Sequence, residues 1–122
     1  MDIILSIKSQ YAEKIFHWEK IYELRRSFSK KGISKIIIYE TAPISRVVWE
    51  FKIEKILYEP LEKLWNDTKD YSCVSREFFD KYFNWKEFWY AIKVRNPKKY
   101  KNPKLISDYW IKRPPQSYYY LN

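Results

Sequence analysis

The sequence predicts an α+β domain: a small, partly closed β-barrel of five to six short strands, with two to three helices packed outside it. Three observations lead there. Strand-sized apolar runs recur along the chain, with clean alternation over Val47–Leu57. Three segments carry apolar residues at helical spacing, each behind a residue suited to start a helix. The 122 residues, 46% of them hydrophobic and 20% aromatic, suffice for one core and one domain.

The elements follow in order. Ile3–Lys8 is a strand. Ser9 is placed to cap a helix reaching about His17, with Tyr11, Ala12, Ile15 and Phe16 on one face. Glu19–Arg26 is extended, with Tyr22 and Leu24 as apolar alternates, and Lys30-Lys31-Gly32 forms a turn. Lys35–Glu40 is a buried strand ended by the loop around Pro43. In Val47–Leu57, Val47, Trp49, Phe51 and Ile53 are predicted to face one way, and Glu50, Lys52 and Glu54 the other. Pro60 suits the first turn of a helix carrying Leu61, Leu64, Trp65 and Thr68. Ser75 caps another, with Phe78, Phe79, Tyr82 and Phe83. Tyr90–Val94 is a strand, Pro97–Lys104 a basic loop, and Ile111–Leu121 a last extended segment containing Pro114-Pro115. No linker, repeat or low-complexity tract divides residues 1–122.

Several function classes are excluded. No apolar run approaches the roughly 18 to 20 residues of a membrane-spanning helix. The start of the chain lacks the features of a signal peptide. Cys73 is the only cysteine, so no intrachain disulfide can form and a reducing, cytoplasmic setting is expected. One cysteine and one histidine cannot supply a zinc site, and no other metal or cofactor is expected. No glycine-rich phosphate loop is present, which argues against an NTPase. Cys73 has no cation near it in sequence and reads as structural, and His17 lacks the neighbours of a catalytic triad.

The formal net charge is +9, unevenly spread. Residues 1–46 hold nine Lys/Arg against five Asp/Glu, residues 47–90 seven against nine, and residues 91–122 eight against one. If the two basic ends lie together they form a positive surface suited to phosphate backbones. A merely solvated basic protein has the same composition, so charge alone leaves both open.

Glycine and tryptophan are out of balance. Average usage of about 7% predicts eight or nine glycines; the chain has one, and six tryptophans. Trp18 and Trp85 follow helices, where a left-handed residue, usually glycine, is common. Trp49 lies in a strand, Trp89 precedes one, and Trp110 precedes the proline-rich end. These five are either stacking platforms for unpaired bases or positions occupied by glycine in the native protein through codon reassignment. On the second reading, replacing all five by glycine stabilises the chain.

With those five read as glycine, the chain resembles the ASCH-domain proteins of the PUA-like superfamily, in particular small prokaryotic and phage members described as predicted transcriptional regulators. The resemblance rests on Ile4-Leu5-Ser6-Ile7-Lys8, Tyr11-Ala12-Glu13-Lys14-Ile15 and Trp18-Glu19-Lys20-Ile21-Tyr22-Glu23-Leu24-Arg25-Arg26. The last matches a Gly-x-Lys-x-x-Glu-x-Arg signature with Trp18 in the glycine place. Ile38-Tyr39-Glu40-Thr41-Ala42-Pro43, Val47-Val48-Trp49-Glu50-Phe51, Trp89-Tyr90-Ala91-Ile92 and the ending Ile111-Lys112-Arg113-Pro114-Pro115-Gln116-Ser117-Tyr118 add to it. It implies a PUA-like barrel with a cleft and a role in RNA binding or RNA-linked regulation. Some relatives hydrolyse acylated cytidine nucleosides using a lysine, a threonine and a glutamate. Here Glu23 stands where they carry threonine, which weighs against catalysis.

The candidate site therefore centres on Lys20, Glu23 and Arg25. Glu23 and Arg25 share a strand face by parity, and an arginine beside a carboxylate reads a base edge or phosphate through its rigid fork. The competing reading is a cross-strand ion pair at the barrel rim. Lys8 and Arg26 join the nucleic-acid-binding set from the N-terminal side, and Lys112, Arg113, Gln116 and Ser117 from the C-terminal side. Lys20 and Glu23 would be catalytic if the protein were an enzyme. The expected partner is RNA, with a nucleoside as the alternative ligand of the cleft and no membrane or metal partner.

Overall fold

The computed structural model describes residues 1–17, 20–29, 31–82 and 87–121. In chain order it contains β1 (Asp2–Ile7), α1 (Ser9–Phe16), β2 (Tyr22–Arg25), β3 (Lys35–Glu40), β4 (Arg46–Pro60), α2 (Leu61–Thr68), α3 (Arg76–Tyr82), β5 (Phe88–Lys104), a 3₁₀ turn (Ile106–Tyr109) and β6 (Tyr118–Leu121). The six strands form one mixed sheet in the order β2-β5-β4-β3-β1-β6. Only β1 and β3 run parallel among the pairs formed, with Ile3 opposite Ile36 and Leu5 opposite Ile38.

The α+β class holds, but the sheet does not close into a barrel. β2 and β6 are its edges, and no backbone ladder joins them among the described residues. The sheet nevertheless curls enough for side chains to bridge that gap. Arg25 at the end of β2 bonds Ser117 beside β6, and the rings of Phe28 and Tyr118 lie 5.8 Å apart. The long β4–β5 ribbon shifts register at three places, and such bulges bend a strand and sharpen its twist.

Burial follows from the curl. The central strands are covered on both faces, so β1 and β3 are apolar at nearly every position. One cluster joins Leu5, Ile38, Phe51 and Ile92 to Ala12 and Ile15 of α1. A second seats Leu64 of α2 and Phe79 of α3 against Leu24, Trp89 and Ala91. A third places Ile4, Ile37 and Val47 under Ile106, Tyr109 and Ile111. Val47 thus faces away from Trp49 and Phe51, contrary to simple alternation. Against β3, the adjacent Ile38 and Tyr39 pair with Trp49 and Val47, so β4 carries one extra residue there, and one residue reverses a strand's facing.

Other expectations change for similar reasons. Pro97–Lys104 is not a loop: it continues β5, with Lys98 opposite Glu50 and Lys99 opposite Trp49. Prolines and lysines read as loop signals, but register shifts admit residues that a regular ladder rejects. Ser9 does not cap α1. Lys8 holds the cap position, and the Ser9 hydroxyl donates to the Thr41 carbonyl at 3.3 Å. Ser75 does cap α3, its hydroxyl accepting the Phe78 N–H at 3.0 Å. The expectations for Trp18, Trp85 and Phe83 lie outside the described residues. No helix among the described residues is long and apolar enough to cross a membrane.

The tryptophans divide. Trp49 and Trp89 are 2% and 0% exposed, so neither can stack on a base. Trp110 is 97% exposed and ends the 3₁₀ turn in the left-handed region, with φ 62°.

Candidate functional site

β2 sorts its side chains by parity. Tyr22 and Leu24 pack towards α2 and α3, while Glu23 and Arg25 lie opposite Ile92 and Tyr90 of β5 and face the other way. Lys20 precedes the strand, and its backbone N–H bonds the Lys14 carbonyl. That irregular entry frees the lysine from strand parity. Its ammonium comes within 3.7 Å of Glu23 Oε1, and Arg25 Nη1 donates to Glu23 Oε2 at 3.5 Å. All three are buried, so this is not an ion pair on an exposed rim.

The rest of the geometry fixes these charges in place. Lys20 Nζ donates to the Ser72 carbonyl at 2.8 Å and lies 5.5 Å from the Tyr11 ring centre. Arg25 Nη2 donates to Ser117 Oγ at 2.6 Å, a contact spanning 92 residues. The Ser6 hydroxyl donates to the Pro115 carbonyl at 2.7 Å, holding the C-terminal segment against β1. The basic ends of the chain do come together, since Asp2 also pairs with Leu121.

Lys20, Glu23 and Arg25 line a cleft of about 380 Å³, with Ser6 beside them. Ile7, Leu24, Val74 and Phe79 give it apolar walls, with Tyr11 and Tyr82 alongside. Lys8 and Arg26 are its exposed cations. The Arg26 guanidinium sits 4.3 Å from the Tyr82 ring centre and its Nε donates to the Tyr82 carbonyl at 2.9 Å. A few convergent polar groups in an apolar hollow is the usual make-up of a small-ligand site.

The structure gathers Lys8, Lys20, Glu23, Arg25 and Arg26 here, with Ser117 reaching them through Arg25. Lys112 and Arg113 instead line a separate hollow. Gln116 is exposed, between Pro115, whose carbonyl accepts from Ser6, and Ser117, which accepts from Arg25. Tyr11, Phe78 and Tyr82 were legible in sequence only as the apolar faces of helices; they also form cleft wall. Nothing local marks Ser72, whose buried hydroxyl has no hydrogen-bond partner among the described residues. Cys73 does lie near a cation after all, since Lys20 Nζ bonds the carbonyl of the preceding residue, Ser72.

Burial holds the Lys20 pKa below the ordinary lysine value, and Glu23 only partly opposes this. Between the lowered folded value and the unfolded one near 10.5, the unfolded chain binds more protons, so this group's contribution to stability rises with pH. The stability difference between the natural chain and Lys20→Met should therefore shift in favour of the natural chain as pH climbs from neutrality. Urea denaturation of both proteins at pH 7 and 10 measures this; a constant difference would contradict it.

Fold and cleft together define the class: an α+β domain whose candidate site lies between the first helix, the third helix and strand β2. Solved structures of the ASCH protein of Zymomonas mobilis share this fold. The unmutated form superposes with a TM-score of 0.90 at 24% identity, covering 99% of this chain and 87% of that one. A tyrosine-to-phenylalanine mutant gives 0.90 at 23% identity and a serine-to-alanine mutant 0.90 at 22%, each over 99% of this chain and covering 90% and 88% of theirs. The chain has the ASCH-domain fold. No family model matches the sequence. Among curated proteins it is 26% identical over 120 residues to the large ribosomal subunit protein uL22 of Ureaplasma parvum serovar 3. It is 29% identical over 120 residues to the ATP synthase subunit alpha of the same organism. In both the match takes in 98% of this chain but only 39% and 15% of the relative, so the chain spans a minor part of each.

Proposed function

We propose that this domain binds RNA, in a role in RNA-linked or transcriptional regulation, and that its cleft receives one unpaired nucleotide. The observation that carries this is the buried Arg25, oriented by Glu23 and Ser117 in a cleft with an aromatic wall and the cations Lys8 and Arg26. Such an arginine supplies a preorganised fork for a base edge or phosphate. Tyr82 and Tyr11 offer π-faces, and the exposed cations hold flanking phosphates. The likeness to part of a ribosomal protein agrees with an RNA ligand; the likeness to part of an ATP synthase subunit is neutral.

RNA titrations at several salt concentrations test this. Affinity should fall steeply with salt. Arg25→Ala should weaken binding roughly 10- to 100-fold, the loss expected for a hydrogen bond to a charged group. Lys98→Ala or Lys101→Ala should weaken it modestly and lower the salt slope by roughly one each if each meets a phosphate. Unchanged affinity in a folded Arg25→Ala variant would overturn the site.

One observation favours a second reading, hydrolysis of acylated cytidine nucleosides. Lys20 is buried in the cleft with a lowered pKa, which suits a general base. Deacylation that disappears in Lys20→Ala, with no RNA affinity at low salt, would establish that reading instead.

A further inference from the structure

A second concave surface lies outside the cleft. Trp110, Ile111, Lys112, Arg113 and Tyr119 line an open hollow of about 530 Å³. Trp110 is 97% exposed and Tyr119 44% exposed. The third apolar cluster, with Tyr109 and Ile111, backs this part of the sheet. Lys112 and Arg113 are exposed, with no acidic partner in salt-bridge range among the described residues. Asp108 is the one acid in residues 91–122, and its carboxylate is engaged by the Leu105 N–H at 3.0 Å. Lys104 adds a further cation, 5.9 Å from the Tyr109 ring centre.

We propose that this hollow is a second contact for single-stranded RNA, receiving the strand that continues from the cleft. The inference rests on the RNA reading of the cleft. Its chemistry is exposed aromatic faces set among unneutralised cations, which suits stacked bases with their phosphates and does not suit an apolar peptide. Its place is set by the chain itself. Arg113 and Ser117 are four residues apart, at most about 14 Å, and Ser117 bonds the cleft's Arg25. The two surfaces therefore lie within one short strand's reach, inside the roughly 4–16 nucleotides that a single-strand-binding fold of similar size can cover. Trp110 holds its indole in solvent at a backbone angle that favours glycine, and the contact with a base gives that exposed ring a use.

The test uses the full chain with a trinucleotide, which fills only the cleft, and a dodecanucleotide, which spans both surfaces. K112Q/R113Q should leave trinucleotide affinity unchanged and lower dodecanucleotide affinity about tenfold, cutting its salt slope by about 1.4 for two phosphates. W110G should lower dodecanucleotide affinity roughly tenfold through lost stacking. If either variant binds the dodecanucleotide as tightly as the unaltered protein, this inference is overturned while the cleft reading stands. Failure of the unaltered protein to bind either RNA overturns both.

Discussion

Glu23→Ala should destabilise the domain by about 3–5 kcal/mol, the cost of leaving buried charge uncompensated. Among the described residues, Glu23 is the one carboxylate within ion-pair distance of both Lys20 and Arg25, at 3.7 and 3.5 Å, and all three are largely withdrawn from water. Removing it leaves a buried ammonium bonded to the Ser72 carbonyl and a guanidinium bonded to the Ser117 hydroxyl, both neutral acceptors. Low dielectric makes that arrangement costly. Denaturant unfolding of Glu23→Ala against the natural chain measures the loss. Surface carboxylates provide the control: the exposed pair between Glu77 and Lys81 should contribute under about 1 kcal/mol. A Glu23→Ala cost no larger than that would mean water reaches the cluster.

Trp89→Gly should cost about 3–5 kcal/mol or more, from a core cavity and the added freedom of glycine in a strand. The indole is fully buried among Leu64, Phe79 and Ala91, with the Tyr82 ring centre 6.4 Å away. Trp49→Gly should behave alike, softened because the Trp49 indole N–H is buried without an acceptor among the described residues. Trp110→Gly should instead stabilise by about 1 kcal/mol, since glycine adopts the left-handed angle without strain. These opposite signs replace the single stabilising effect expected from the composition. The five positions are not equivalent: two described tryptophans are core and one is exposed. Thermal melts of the three single variants decide, and a raised melting temperature for Trp89→Gly would show that the indole is not native packing.

Local pattern carried much of the fold. Lys35–Glu40 is a strand at both predicted ends because its apolar run Ile36-Ile37-Ile38-Tyr39 suits a doubly buried position. The α3 cap was legible because Ser75 and the Phe78 N–H it accepts lie three residues apart. The grouping of Glu23 with Arg25 follows from strand parity, which two alternate residues suffice to encode. The basic ends were visible in the charge count, and their meeting needed only the pairing of β1 with β6.

Tertiary structure decided what depends on distant residues. The bulge that turns Val47 away from Trp49 exists only where β4 pairs with β3, because one residue of β4 is left over opposite Ile38 and Tyr39. The pairing of β4 with β5 makes a strand of Pro97–Lys104 against its local loop character. The open sheet, with Arg25 and Ser117 bridging its edges, required contacts across 92 residues. The depressed basicity of Lys20 comes from burial, with the Ser72 carbonyl 52 residues away as its acceptor. Where strand alternation is unbroken and no distant pairing overrides local character, secondary structure and facing are encoded by neighbours along the chain, and the sequence alone determines them. Burial, register and the chemistry of a buried charge are set by whatever the fold brings against each residue, and only the assembled sheet supplies that.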